Sequence, residues 1–351
     1  TLLWTGNSTD NRAITGLNFQ PDLTWIKRRS GGAQSHFWVD ALRSNTDGSG
    51  GNGNVGPLAT NDNYAETNTL TDGGFESFNS DGFTLGKGSS TANADAPYQR
   101  NNASGGTYVG WNWKAGGSAS SNSDGTITSS VSVNASAGFS IITWTGTGSA
   151  GTIGHGLGVA PKWLVVKLRS GSQDWFVNNG MILNDYGKYF KWNSTNTAAS
   201  DTNVFPNTAP TSTVFSVGTD SAVNASSSTY VAYVFSEVAG YSKFGSFVGN
   251  GNADGSFVYT GFRPAYVMIK CSSTSDHWNI SDAKRGNFNE IDEALYANNA
   301  EAEGWNGSLD KIDYLSNGFK PRANNSQTNA SGATYIYLAF AESPFKYARA
   351  R

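Results

Sequence analysis

Two glycine-rich stretches, Gly51-Asn52-Gly53-Asn54-Val55-Gly56 and Gly146-Thr147-Gly148-Ser149-Ala150-Gly151, carry the G-x-G-x-x-G spacing that lets a backbone approach a dinucleotide pyrophosphate. That chemistry needs a helix directly after the glycines and an acid about 20 residues on for the ribose. Neither stretch leads into a helical pattern, and turns account for both. Asp47-Gly48-Ser49-Gly50-Gly51 sets a serine among glycines, but the order is wrong for a nucleophile and no histidine partner motif accompanies it. His36, His155 and His277 show no metal-ligand spacing, and the sequence implies no metal and no cofactor. Glu301, Glu303, Asp310 and Asp313 cluster as the two acids of a glycosidase could, although a solvated loop explains them equally well. The oxygen-rich run Asn250-Gly251-Asn252-Ala253-Asp254-Gly255 lacks the ligand series of an EF-hand.

The elements that must position any such residues come in three copies. Trp4-Thr5-Gly6, Trp144-Thr145-Gly146 and Phe247-Val248-Gly249 open them, and Pro21, Pro161 and Pro264 each follow fifteen residues past the glycine. Lys27, Lys167 and Lys270 come six residues later. Next comes an aromatic two before a β-branched residue, read as Phe37 with Val39, Trp175 with Val177 and Trp278 with Ile280. Asn-Ala-Ser-x-x-Thr-Tyr, beginning at Asn102, Asn224 and Asn329, closes each copy. A repeat of this length is a whole small domain copied. The boundaries fall at residues 1–116, 138–240 and 241–351, with 117–137 a Ser/Gly-rich linker or hairpin.

Forty-two glycines with 13% aromatics describe a turn-rich chain of short strands, and each copy should bury its own core. In Thr107–Trp113 the side chains of Val109, Trp111 and Trp113 share one face. The strands after the prolines run apolar on both faces and read as central, with the repeated lysines snorkelling to the sheet rim. The fold expected is all-β: three tandem antiparallel β-sandwich repeats of jelly-roll type. One short helix is expected over 289–303, where Ile291 and Leu295 lie four apart. Charged residues make up only 15% with a net charge of −3, which leaves no footprint for nucleic acid, and no apolar run is long enough to insert in a membrane. The single cysteine, Cys271, follows an apolar strand and reads as a buried filler. A chain that begins with Thr1 reads as a piece processed or excised from a longer polypeptide.

Aromatics at matched positions are most simply core, since copies of one fold share packing rather than ligands. Those confined to a single copy's variable loops are the ligand candidates: Trp192, Trp305, Tyr64 and Tyr98. The loops 45–64, 87–100, 185–210 and 284–313 do not repeat, and function is expected there.

The segments 16–27 (Gly-Leu-Asn-Phe-Gln-Pro-Asp-Leu-Thr-Trp-Ile-Lys), 80–86 (Ser-Asp-Gly-Phe-Thr-Leu-Gly) and 106–117 (Gly-Thr-Tyr-Val-Gly-Trp-Asn-Trp-Lys-Ala-Gly-Gly) together resemble a domain of virion structural proteins of marine tailed phages. The run 155–161 and the ending 341–351 are similar to the same family, so the likeness spans essentially the whole chain. Copy two departs from it with Thr213-Val214-Phe215 in place of Asp-Gly-Phe, and copy three with Pro321. The resemblance implies a place on the tail or outer surface of a virion and carries no catalytic residues. The expected function is a virion surface or tail-fibre protein whose modules adhere to a host surface or bacterial glycan. It would self-associate, a homotrimer being one arrangement, and meet other virion proteins. Two alternatives stand beside it: a purely structural capsid decoration or extracellular filament subunit, and a polysaccharide depolymerase.

Overall fold

A computed structural model describes residues 1–43, 57–66, 74–87, 97–286, 289–305 and 310–342, with Pro97 and Tyr98 described in backbone only. Among the described residues the chain is all-β, 41% strand against 4% helix, in antiparallel sheets of which none is closed. Six sheets account for the strands among the described residues.

Three larger sheets are each built around a closing strand, and their registers match. Thr107–Trp113 lies between Leu2–Thr5 and Leu23–Arg28, with Phe37–Asp40 beyond. Thr229–Phe235 lies between Phe139–Thr145 and Trp163–Leu168, and Thr334–Ala341 between Ser242–Val248 and Pro264–Cys271. Trp25 faces Trp111, Val165 faces Tyr233 and Met268 faces Leu338, so the positions correspond residue by residue. Smaller sheets contain Ile14, Ile153 and Val258 opposite Phe83, Phe215 and Phe319.

The repeated signature is explained by local packing. Trp4, Trp144 and Phe247 stack on Tyr108, Tyr230 and Tyr335 at centroid distances of 5.6, 5.3 and 5.1 Å. Each tyrosine hydroxyl accepts the N–H of Ala103, Ala225 or Ala330 and donates to a carbonyl nine residues back in the chain. The side-chain oxygens of Asn102, Asn224 and Asn329 accept the N–H just after the opening glycine, pinning that loop. At Gly6, Gly146 and Gly249 a Cβ would sit 2.0, 2.2 and 2.3 Å from a backbone oxygen, so only glycine fits.

Strand alternation then divides the side chains. Ile26, Phe37 and Tyr108 join a core within copy one; Ile142, Val166 and Tyr230 one within copy two; Val267, Ile269 and Tyr335 one within copy three. The opposite faces of the same strands meet in a fourth cluster drawn from all three copies, including Trp25, Trp38, Trp111, Trp163, Trp175, Trp192, Trp278 and Phe340. Separate cores alone, expected from the sequence, are thus supplemented by a shared one. Segment 117–137 forms a hairpin, Ser120–Asn122 with Ser129–Asn134, added to the edge of Phe139–Thr145. The helix expected over 289–303 does not form. Ile291 makes an isolated bridge to Ile312 and Leu295–Tyr296 pairs with Asn279 and Ile280, so its apolar residues are buried by extended backbone instead.

Candidate functional site

The four aromatic candidates separate. Trp192 is 2% exposed and packs edge-on against Trp25, Trp38 and Trp175, so the folded chain closes it to any ligand. Its loop position concealed this because Trp25 and Trp38 of copy one and Trp278 of copy three supply part of the burying surface. Trp305 is 49% exposed and lies edge-on to His277 and Tyr296 at 5.4 and 5.8 Å. His277 Nδ1 pairs with the Asn298 amide, and Tyr296 donates to Asp310. Tyr64 is 46% exposed in copy one. The side chain of Tyr98 lies outside the described residues, as do Asp47–Gly51 and the first glycine-rich stretch at 51–56. The second glycine-rich stretch is a turn followed by the strand Gly151–Gly154.

Three of the four acids of copy three are engaged. Glu303 bridges Arg29 and Arg285, Asp310 is buried against Tyr296 and Asn325, and Asp313 pairs with Arg322 at 3.4 Å. Among the described residues no group of three or more His, Cys, Asp and Glu side chains converges as a metal site would require.

The most elaborate polar chemistry lies at the junctions between copies. Lys27, Lys167 and Lys270 do not snorkel; all three are fully buried. Each ammonium donates to the carbonyl of the residue after it and to one carbonyl of a different copy. Lys27 reaches Ala300 at 2.8 Å, Lys167 reaches Asn63 at 3.3 Å and Lys270 reaches Thr195 at 3.1 Å. Copy one therefore grips copy three, copy two grips copy one and copy three grips copy two, a closed cycle. Burial pushes Lys167 and Lys270 down to about 8, because carbonyl dipoles replace hydration without a counter-charge in contact.

The residue nine or eight past each lysine makes a second crossing. Trp175 donates its indole N–H to Ala59 at 2.8 Å and Trp278 to Lys191 at 3.2 Å. In copy one the equivalent is His36, whose Nε2 lies 2.9 Å from the Tyr296 carbonyl. The sequence matching of Phe37 to these tryptophans was one residue out. Trp38, opposite Trp25, corresponds to Val177 and Ile280, and Phe37 faces the core of its own copy. Because strand side chains alternate, a slip of one changes the face.

Two junctions carry an ionic chain. Between copies one and two, Asp40 holds Arg43, Arg43 lies 3.4 Å from Glu66, and Glu66 accepts from Arg169 at 2.6 Å, while Tyr233 donates to Asp40 at 2.6 Å. Between copies three and one, Asp282 holds Arg285, Glu303 joins Arg285 to Arg29, and Trp111 donates to Asp282 at 3.0 Å. Burial works against the Asp282 carboxylate, yet Arg285 and Trp111 hold it below the ordinary range. At the junction of copies two and three the corresponding positions are Asn179, Ile182, Ala198, Ser272 and Leu338, all neutral. The Asn179 amide finds no hydrogen-bond partner there. The signal available in the sequence was the recurrence of a lysine inside a strand apolar on both faces.

A family model described as a domain of unknown function (DUF7483) matches residues 1–344. No curated protein and no solved structure matches the chain.

Proposed function

The chain belongs to the DUF7483 family, a domain of unknown function, and we propose that it is a structural module of a virion surface or tail fibre, built as three jelly-roll-like β-sandwich copies and bearing an adhesive contact to a host-surface glycan. The observation that carries this reading is the cycle of lysine cages around a shared tryptophan core, which joins three copies into one stiff body. Such a body suits a spacer or surface component. The virion setting rests on the sequence resemblance. The adhesive part rests on Trp305, a solvent-facing indole braced by His277 and Tyr296 in a loop that does not repeat. An exposed, braced aromatic offers an apolar face to a sugar ring.

Burial of Trp192 inside the chain removes one glycan candidate, which leaves room for the second reading, a capsid decoration or filament subunit with no glycan contact. Recombinant chain should bind bacterial envelope preparations and compete with phage adsorption, and Trp305→Ala should lower that binding at least tenfold with unchanged thermal stability. Binding that is absent, or indifferent to Trp305→Ala, removes the adhesive reading and leaves the structural one. Release of reducing sugar from envelope polysaccharide would instead support a depolymerase.

A further inference from the structure

We propose that His36 is an acid-sensitive latch on the seam between copy three and copy one. This seam differs from the other two. The chain passes from copy one to copy two through 117–137 and from copy two to copy three through 236–241, whereas copies three and one meet without a connecting segment. At the two connected junctions the corresponding position is a tryptophan, Trp175 or Trp278, which does not titrate. Only the unconnected seam has an imidazole there.

The partners of His36 fix its protonation. Nε2 lies 2.9 Å from the Tyr296 carbonyl and 3.1 Å from that of Asn299, both acceptors, so Nε2 carries the proton. Nδ1 accepts from the indole N–H of Trp25 at 2.8 Å and must be bare. A second proton would set one N–H against another. The ring is fully buried, and its backbone N–H is held by Asn61. The charged groups acting on it are Lys27 from its own sheet and Arg100 from the short helix Pro97–Asn101, both cations. Burial first and then Lys27 hold His36 well below the ordinary imidazole range, against the pull of the Tyr296 and Asn299 carbonyls. An open seam would accept a proton that the closed seam refuses, so acid favours opening below the ordinary pKa. Opening would release the Lys27 grip on Ala300 and the Arg29–Glu303 pair together.

Hydrogen exchange on the full chain tests this, with rates corrected for intrinsic pH dependence. Burial lowers His155 in copy two as well, so the readout must be local, and because His277 pairs with Asn298 inside 296–303 the comparison with His36→Gln makes the assignment. From pH 6.5 to pH 5.5 the opening constant at 296–303 should rise roughly fivefold, the most that one proton with an unperturbed pKa of about 6.5 in the open state gives over that step. Segment 191–198, at the junction of copies two and three, should not follow. His36→Gln should flatten the response at 296–303. Equal loosening of both segments, no loosening at 296–303, or an unchanged response in His36→Gln would each overturn the latch. Should His36→Gln fail to fold, nitrogen-15 spectra of the wild-type histidines decide: His36 staying in the Nε2–H form at pH 5.5 in the closed chain supports the latch, and titration near 6.5 refutes it.

Discussion

A buried ammonium hydrogen-bonded only to carbonyls costs desolvation yet supplies those acceptors with a donor, and the second effect governs what a substitution does. Lys167→Met should leave the carbonyls of Leu168 and Gln173 short of a donor, while that of Asn63 keeps the Gln173 N–H at 2.8 Å. Stability should fall by about 1–3 kcal/mol, read as a lower denaturation midpoint. The pH response has the opposite sense from a salt-bridged lysine. Lys167 and Lys270 are lowered to about 8 in the folded chain, against about 10.4 when unfolded. Between those values the unfolded chain holds protons that the folded chain has lost, so stability rises with pH across the window. Above about pH 10 the trend reverses, because burial holds Tyr233 and Tyr266 un-ionised when folded but not when unfolded. Melting temperatures at pH 7.5, 9 and 11 should pass through a maximum; a steady decline from pH 7.5 would contradict the lysine assignment.

At the scale of strands and junctions, the contrast between ionic and neutral sets makes a sharper prediction. Glu66→Ala leaves Arg43 and Arg169 without their shared carboxylate and should cost about 3–5 kcal/mol, as when one partner of a buried pair is removed. Installing the whole neutral set at the same junction (Asp40→Asn, Arg43→Ile, Glu66→Ala, Arg169→Ser, Tyr233→Leu) should cost less than that single change. Denaturation of the two variants checks it, and additive losses would refute it. Much at this scale was legible in sequence: the closing strands with Val109, Trp111 and Trp113 on one face, the apolar run after each proline, and a hairpin as one option for 117–137. Residues 289–303 were not, because Ile291 and Leu295 four apart fit a helix as well as two short extended contacts, and only long-range partners decide.

For the whole molecule, repetition correctly assigned Trp4 and Trp144 to cores, with Phe247 packed half-buried against the third, but could not reveal that copies share one. Period and alternation report which face is buried, never what buries it. That is why Trp192 looked like a loop residue and the lysines like rim residues. A shared core predicts one calorimetric unfolding transition for the chain, with the calorimetric and van't Hoff enthalpies agreeing; three resolved transitions would mean the copies unfold independently. The cycle of grips also has a direction. Lysines end the strands on one side, while at their other ends Trp113, Phe235 and Phe340 meet as a triangle with centroids 6.3, 5.7 and 5.9 Å apart. The two ends of the shared core are therefore unlike, buried cations caged by carbonyls at one and a closed triangle of aromatic rings at the other, so the core has a sense of direction that three identical separate cores would lack.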